Sequence, residues 1–394
     1  MLDKPCDRIS APSTGLAKGR TIPDAFWARV RETPDAVAYL QYDKTEWRSL
    51  SWRDTGLRVA RRQAAFALAG LQPGDRIGVF LPNCVDWIVT DIAAMAMGLI
   101  TVPVYTRDGA ANICHVLRDS GAALCVTDTA DRWAALGPET ETLDNLKTVW
   151  TLNATSGGDP RLSPCPEPPD SPENDGLDLT GDPDDTATMI YTSGTTGPPK
   201  GVMLSHRALL WNASAVARVN PISSEDLFLS ILPLAHAFER TLGYLCPMLS
   251  NAPVAFARSV ETLSDDMQTL RPTIMLAVPR LFERARAKVM AEADKSVISR
   301  RLLAWSEVVG WPRRQAAEGK ASARLWMPQL FWRVAGRHVA ARVRPNNGPA
   351  SAESYVTKGR IAQLFETMCV FVREEIARPA LGKLTDRYIY LIWT

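Results

Sequence analysis

The feature that most constrains this chain is an alternation, through its first half, of helical spacing with apolar runs too short to be helices. Ser51 can cap a helix from Trp52 towards Leu68, with Asp54 three residues on as a partial capping box and Gly70 as its stop before Pro73 and Gly74. Arg76 to Leu81 (RIGVFL) is then a strand, VDWIVTDIAAMAMG has helical spacing and ends on Gly98, and LITVPV is another β-rich run. NICHVLRDSG is a helix closed by Gly121, and AALCVT is a further strand. Buried strands separated by helices imply right-handed βαβ units on a mostly parallel sheet with both faces covered, an α/β fold.

Between Asn153 and Asp185 the chain turns dense in Pro, Gly, Ser and acidic residues and loses apolar periodicity, which reads as a linker or long surface loop. The alternation resumes with ATMIYT and GVMLSH, a helix from about Arg207, the strand LFLSILP, a helix from about Glu239, and the strands PVAFA and TIMLAVP. From Arg280 to Arg344 the pattern is helical and basic, with Trp305, Trp311, Trp326 and Trp332 among Arg and Lys; amphipathic helices with a solvated basic face are favoured over a nucleic-acid surface. The expected organisation is an N-terminal extension (1–20), a first α/β subdomain (21–152), the acidic linker (153–185), a second, incomplete α/β subdomain (186–344) and a helical tail (345–394).

Composition excludes several partners and chemistries. Lys plus Arg at 45 against Asp plus Glu at 43 leaves +2, too near neutral for nucleic acid or an anionic membrane to be the main partner. The seven cysteines stand singly and are odd in number, which favours a reducing cytoplasm. None of the four histidines has a second His or a Cys at metal-ligand spacing, so no metal ligand is assigned. The first residues lack an apolar stretch after a basic start, as a secretory signal would have. Ile92 to Tyr105, interrupted by Gly98 and Pro103, is a buried helix followed by a strand, well short of the roughly 18 to 20 apolar residues of a spanning helix.

The segment that carries chemistry is YTSGTTGPPKGVMLSH, Tyr191 to His206, directly after a buried strand. Glycines at 194, 197 and 201 would free the backbone to turn with positive φ and expose its amides, while Thr192, Ser193, Thr195 and Thr196 add hydroxyl donors. Such a nest could wrap a polyphosphate, with Lys200 as a point charge on the outer phosphates. It is not a Walker A loop, which runs GxxxxGK[ST] into a helix; here Pro199 precedes Lys200, Gly201 follows it, and the loop joins two strands before a helix capped near Ser205.

This string resembles the phosphate-loop signature of the AMP-forming adenylating enzymes: acyl-CoA synthetases, luciferases and nonribosomal-peptide adenylation domains. LQPGDRIGVFLPN, GLITVPVYT and VLRDSGAALCVTD resemble that family's first subdomain, and LPLAHAFERTLGY and LAVPRLFERARAKV resemble its long-chain fatty acyl-CoA synthetase branch. The resemblance runs from about Thr21 to Arg344. It implies two doubly wound, mostly parallel sheet subdomains of an adenylate-forming large domain. It also implies ATP, Mg²⁺ and coenzyme A as reactants: a fatty-acid carboxylate takes up AMP, and the CoA thiol then displaces it. By position, Thr192, Ser193, Gly194, Thr195, Thr196, Gly197 and Lys200 would hold the β- and γ-phosphates, and His236 would lie beside the carboxylate and α-phosphate as a catalytic group. Glu239 and Arg240 are equally well an ordinary helix-start charge with a surface partner.

The family's acyl-site SGGAPL-like segment, its YG-x-TE stretch and its ribose-binding Asp have no counterpart after the phosphate loop. Thr180-Gly181-Asp182 spells TGD ahead of the loop, a coincidental match. The small C-terminal domain with its adenylation lysine has no counterpart either. Impaired activation is therefore expected, the alternatives being a noncatalytic ATP- or acyl-binding remnant or a chimeric product without function. From about Ser351, the end of the chain resembles a fragment of the membrane subunit a of F-type ATP synthases; a short helical tail with an apolar end is the plainer reading. The expected partners are fatty acid, ATP and CoA, with no nucleic acid; peripheral membrane contact is compatible with a lipid substrate.

Overall fold

The computed structural model describes residues 20–153, 158–166, 181–192, 198–220 and 222–278, with the isolated Ala287 and Ala291. The extension before residue 20, most of the acidic linker, the basic helical stretch from 280 to 344 apart from Ala287 and Ala291, and the tail with its ATP-synthase resemblance lie outside the described residues. The chain divides into two units, Met1–Asp266 and Met267–Thr394; in the second, the described residues hold a two-residue strand, Ile274–Met275.

The first unit opens with a helix that the alternation did not announce. α1 (Ile22–Glu32) starts on a complete capping box, Thr21 bonding the Asp24 amide and Asp24 bonding back, with Pro23 in its first turn. The antiparallel pair β1 (Val37–Tyr42) and β2 (Trp47–Ser51) follows, and α2 (Trp52–Leu68) begins on the expected Ser51–Asp54 capping box. Then come β3 (Arg76–Phe80), α3 (Val85–Ala96), β4 (Ile100–Pro103), α4 (Ala110–Asp119), β5 (Leu124–Thr127), α5 (Ala130–Ala134), β6 (Thr148–Thr151) and β7 (Leu162–Pro164). After the linker the chain forms β8 (Thr186–Thr192), β9 (Lys200–Ser205), α6 (His206–Val219), β10 (Phe228–Ser230), α7 (Ala237–Glu239), a π-helical turn Arg240–Leu245, α8 (Cys246–Ser250), β11 (Val254–Phe256) and α9, which begins at Leu263.

Two parallel-dominated sheets result. The larger runs β7-β6-β5-β3-β4-β8-β9, all neighbours parallel except the hairpin β8–β9. In the smaller, β10, β11 and β1 are parallel and β2 closes antiparallel on β1. The sheets are not one per sequence segment: β8 and β9 extend the sheet begun by β3–β7, and β10 and β11 extend the one begun by β1 and β2. The physical reason is that a strand apolar on both faces is satisfied by any neighbour of matching register, so its place is set by tertiary packing rather than by chain order.

α3 is the filling between these layers. Eleven of its twelve residues are buried, and α1, α2, β3, β4 and the π-helical turn pack on it. On the far side of the larger sheet, α4 delivers Ile113, Cys114, Val116 and Leu117 into a core with Phe80, Val102, Cys125, Trp133 and Val149. The close approach explains Gly78: a Cβ there would lie 2.5 Å from Leu117 Cδ2. Among the described residues no helix is long and apolar enough to cross a membrane.

Candidate functional site

The loop expected to hold phosphate sits on a β hairpin. In the β8–β9 register Thr192 stands opposite Lys200, so the first and last residues of the candidate set face each other across the hairpin mouth, both exposed. Ser193, Gly194, Thr195, Thr196 and Gly197 lie outside the described residues. Gly201 corrects one expectation: it does not have a positive φ but lies in extended β9, opposite Tyr191. Its missing side chain makes room for the Tyr191 ring, whose atoms come within 3.0 to 3.2 Å of where a Cβ would be.

The hairpin is braced from α4 by two residues that the loop string alone did not reveal. The Tyr191 hydroxyl donates to Asp119 Oδ2 at 2.6 Å, and burial with this carboxylate pushes the phenol well above its ordinary range. His115, one helical turn before Asp119, meets Tyr191 edge to face and places Nε2 2.9 Å from the Pro199 carbonyl oxygen, next to Lys200. The four-residue spacing that puts His115 and Asp119 on one helix face was the available signal. At the far end of β9, the Ser205 side chain caps α6, as expected from the sequence. His206 is buried, its Nδ1 accepting the Ile22 amide at 3.3 Å, and burial lowers its pKa to about 4.

His236 comes from the other sheet, in the connection after β10. It is exposed and caps α7, Nδ1 accepting the Phe238 amide at 3.2 Å. The segment leading to it is held by Asn83, in the turn between β3 and α3. Asn83 Nδ2 donates to the Leu232 carbonyl at 2.6 Å and to Ser230 Oγ at 3.1 Å, and its Oδ1 accepts the Leu234 amide at 3.0 Å. A lone Asn after a strand carries no such message in sequence; only the fold brings it across.

Glu239 and Arg240 have no surface role: both are fully buried. Ser230 Oγ donates to Glu239 Oε1 at 2.6 Å, and desolvation raises this carboxyl to about 8, so it is mostly protonated at neutral pH. Arg240 is wedged between the two sheets. Its Nη2 donates to Asp91 Oδ1 at 2.5 Å and to Thr101 Oγ1 at 3.1 Å, its Nη1 donates to Thr188 Oγ1 at 2.8 Å, and its guanidinium lies 5.3 Å from the Trp87 ring centroid. Arg240 thus joins the helix that carries His236 to β8, the strand that carries Thr192.

The AMP-binding enzyme family matches residues 26–325. Long-chain-fatty-acid–CoA ligase FadD15 of Mycobacterium bovis is 28% identical over 258 residues, covering 64% of this chain and 43% of that protein. Fatty acyl-CoA synthetase A of Dictyostelium discoideum is 30% identical over 264 residues, covering 62% of this chain and 38% of that protein. The chain therefore spans less than half the length of these curated relatives. Among solved structures, a fatty acyl CoA synthetase of Mycobacterium tuberculosis superposes with a TM-score of 0.57 at 20% identity, covering 67% of this chain and 50% of that one. The long-chain-fatty-acid-CoA ligase FadD1 of Archaeoglobus fulgidus gives 0.58 at 21%, covering 72% and 55%. At these identities the structures speak for the fold, and the fold is the one described above. With the Thr192–Lys200 hairpin and the His236 helix both inside the matched span, the chain belongs to the AMP-binding enzyme family.

Proposed function

We propose that this chain carries the nucleotide-activating part of an acid–thiol ligase that converts a long-chain fatty acid to acyl-AMP and then to acyl-CoA. The observation that carries the reading is the hairpin register that sets Thr192 opposite Lys200 at the two ends of a Ser-, Gly- and Thr-rich loop. In the first step a carboxylate oxygen attacks the α-phosphorus of ATP and the bond to the β-phosphate breaks, releasing pyrophosphate. In the second, the CoA sulfur attacks the acyl carbon and AMP leaves. Both steps need charge stabilisation and alignment rather than a protein nucleophile. Thr192, Ser193, Gly194, Thr195, Thr196, Gly197 and Lys200 are the donors assigned to the β- and γ-phosphates, and His236 is assigned to the developing charge at the α-phosphate. Mg²⁺ arrives with ATP; among the described residues no three His, Cys, Asp or Glu side chains gather to hold a metal ion. Cytoplasmic placement, with peripheral contact at a lipid surface, belongs to the same reading.

A second reading is a nucleotide-binding module without turnover. One experiment separates the two. Fatty-acid-dependent exchange of labelled pyrophosphate into ATP supports the ligase; saturable MgATP binding that Lys200→Ala weakens, with no exchange, supports the module. Absence of MgATP binding would overturn both.

A further inference from the structure

We propose that Arg240 is a positioning residue that locks the His236 turn onto β8, the strand feeding the phosphate loop. This rests on the reading of Thr192, Lys200 and His236 as parts of one ATP site, and deepens it by naming what sets their mutual placement.

Thr192 ends β8 of the larger sheet and His236 lies in the connection after β10 of the smaller one, so no backbone ladder fixes one against the other. His236 caps the short helix α7, and the Arg240 amide donates to the His236 carbonyl at 3.0 Å, so the arginine moves with the turn that holds the histidine. Its side chain crosses to the larger sheet and ends on Thr188, four residues before Thr192 on the same strand. Thr188 is itself fixed, its hydroxyl donating to the Thr101 carbonyl at 2.8 Å. Thr101 Oγ1 in turn donates to Asp91 Oδ1 at 2.9 Å, closing a ring of Arg240, Thr188, Thr101 and Asp91 in which every member is buried.

A buried ion pair is weak support for stability, because apolar groups of similar volume serve as well or better; directed bonds specify one arrangement among several equally well packed ones. The backbone around Arg240 agrees. The chain passes there from α7 into the π-helical turn Arg240–Leu245, where each carbonyl reaches one residue further than in an α-helix and the side chains after it are turned out of α-helical phase. At this junction Arg240 faces β8 while Glu239 faces Ser230 on β10. Adjacent residues of one turn thus grip both sheets.

The test uses the full chain with ¹³C-labelled histidines and three variants: Thr188→Val, Arg240→Lys and the paired Asp91→Leu/Arg240→Met. Its readouts are the His236 imidazole resonance and titration midpoint, MgATP binding by calorimetry, and the cooperative melting transition. Thr188→Val, which leaves the Asp91–Arg240 pair in place, is expected to fold, to move the His236 resonance and to weaken MgATP binding by about tenfold. Arg240→Lys should sit between wild type and Asp91→Leu/Arg240→Met. A merely structural arginine would change only the melting transition. Folded Thr188→Val and Asp91→Leu/Arg240→Met proteins with an unmoved His236 resonance would overturn the proposal. If wild type itself fails to bind MgATP, the nucleotide reading falls, while the His236 resonance still decides whether Arg240 links the two segments.

Discussion

Two arginine–carboxylate pairs in this molecule have nearly the same length and opposite surroundings. Arg207 on α6 grips Asp184 with two bonds of 2.6 and 2.7 Å, yet both side chains are more than half exposed. Arg240 grips Asp91 at 2.5 Å with neither side chain touching solvent. Distance therefore says little about what a pair does. In water each partner of the first pair has ready substitutes, and losing one leaves the other solvated. In the interior, among the described residues, neither partner of the second has another ion pair, so removing one strands a bare ion.

The sharpest way to break this comparison is to cut each pair on one side. Arg240→Met is expected to cost about 3–5 kcal/mol in denaturant unfolding, and pairing it with Asp91→Leu should recover most of that loss. Gly243→Ala tests the same interior from the carboxyl beside it. Its new Cβ would fall 2.5 Å from Glu239 Oε1, which Ser230 holds in place, so a loss of about 1–3 kcal/mol is expected, largely relieved when Glu239 is also changed to Ala.

Glu239 should also write itself into the pH dependence. The folded carboxyl keeps its proton to about 8, whereas its ordinary value is 4.5. Between these values the unfolded chain binds fewer protons, so stability falls as pH rises, by up to about 1.4 kcal/mol per pH unit. His206 leans the other way, its pKa lowered from 6.5 to about 4 by burial, so its stability is lost as pH falls through that window. Above 6.5 only the Glu239 slope remains of the two, and Glu239→Gln should flatten it in urea titrations from pH 6.5 to 8. The smallest effect belongs to the exposed pair: Arg207→Ala should leave the melting temperature within error at both low and high salt. A large shift there would erase the distinction between the two pairs.

Much of the larger sheet could be read from the chain because its rules are local. The Ser51–Asp54 box, the stop at Gly70 and the mainly apolar strands β3 and β5 each announce themselves within a dozen residues. The Thr192–Lys200 hairpin was legible for the same reason. What escaped was non-local or weakly patterned: the mixed polar strands β1 and β2, the three-residue β7, and the partnership of β1 with β11. Asn83, Asp91 and Asp119 escaped likewise, since an isolated polar residue gains its meaning only from what folding sets against it. Glu239 and Arg240 show the limit clearly: two adjacent charges look like a solvated face until burial of both is seen.

The parallel pairing of Tyr39 with Val254 also sets a timetable. The ribosome must make about 215 further residues before β1 can meet β11, which at 5–20 residues per second is a wait of roughly 10 to 40 s. For that interval the β1–β2 hairpin has a bare inner edge, and the Tyr39 ring lacks Phe256, against which it finally stacks at 5.9 Å. A nascent chain of this design emerges as an open strand edge in search of a partner not yet synthesised, so its yield in a cell should follow translation speed and the supply of holdase chaperones more closely than the stability of the finished fold.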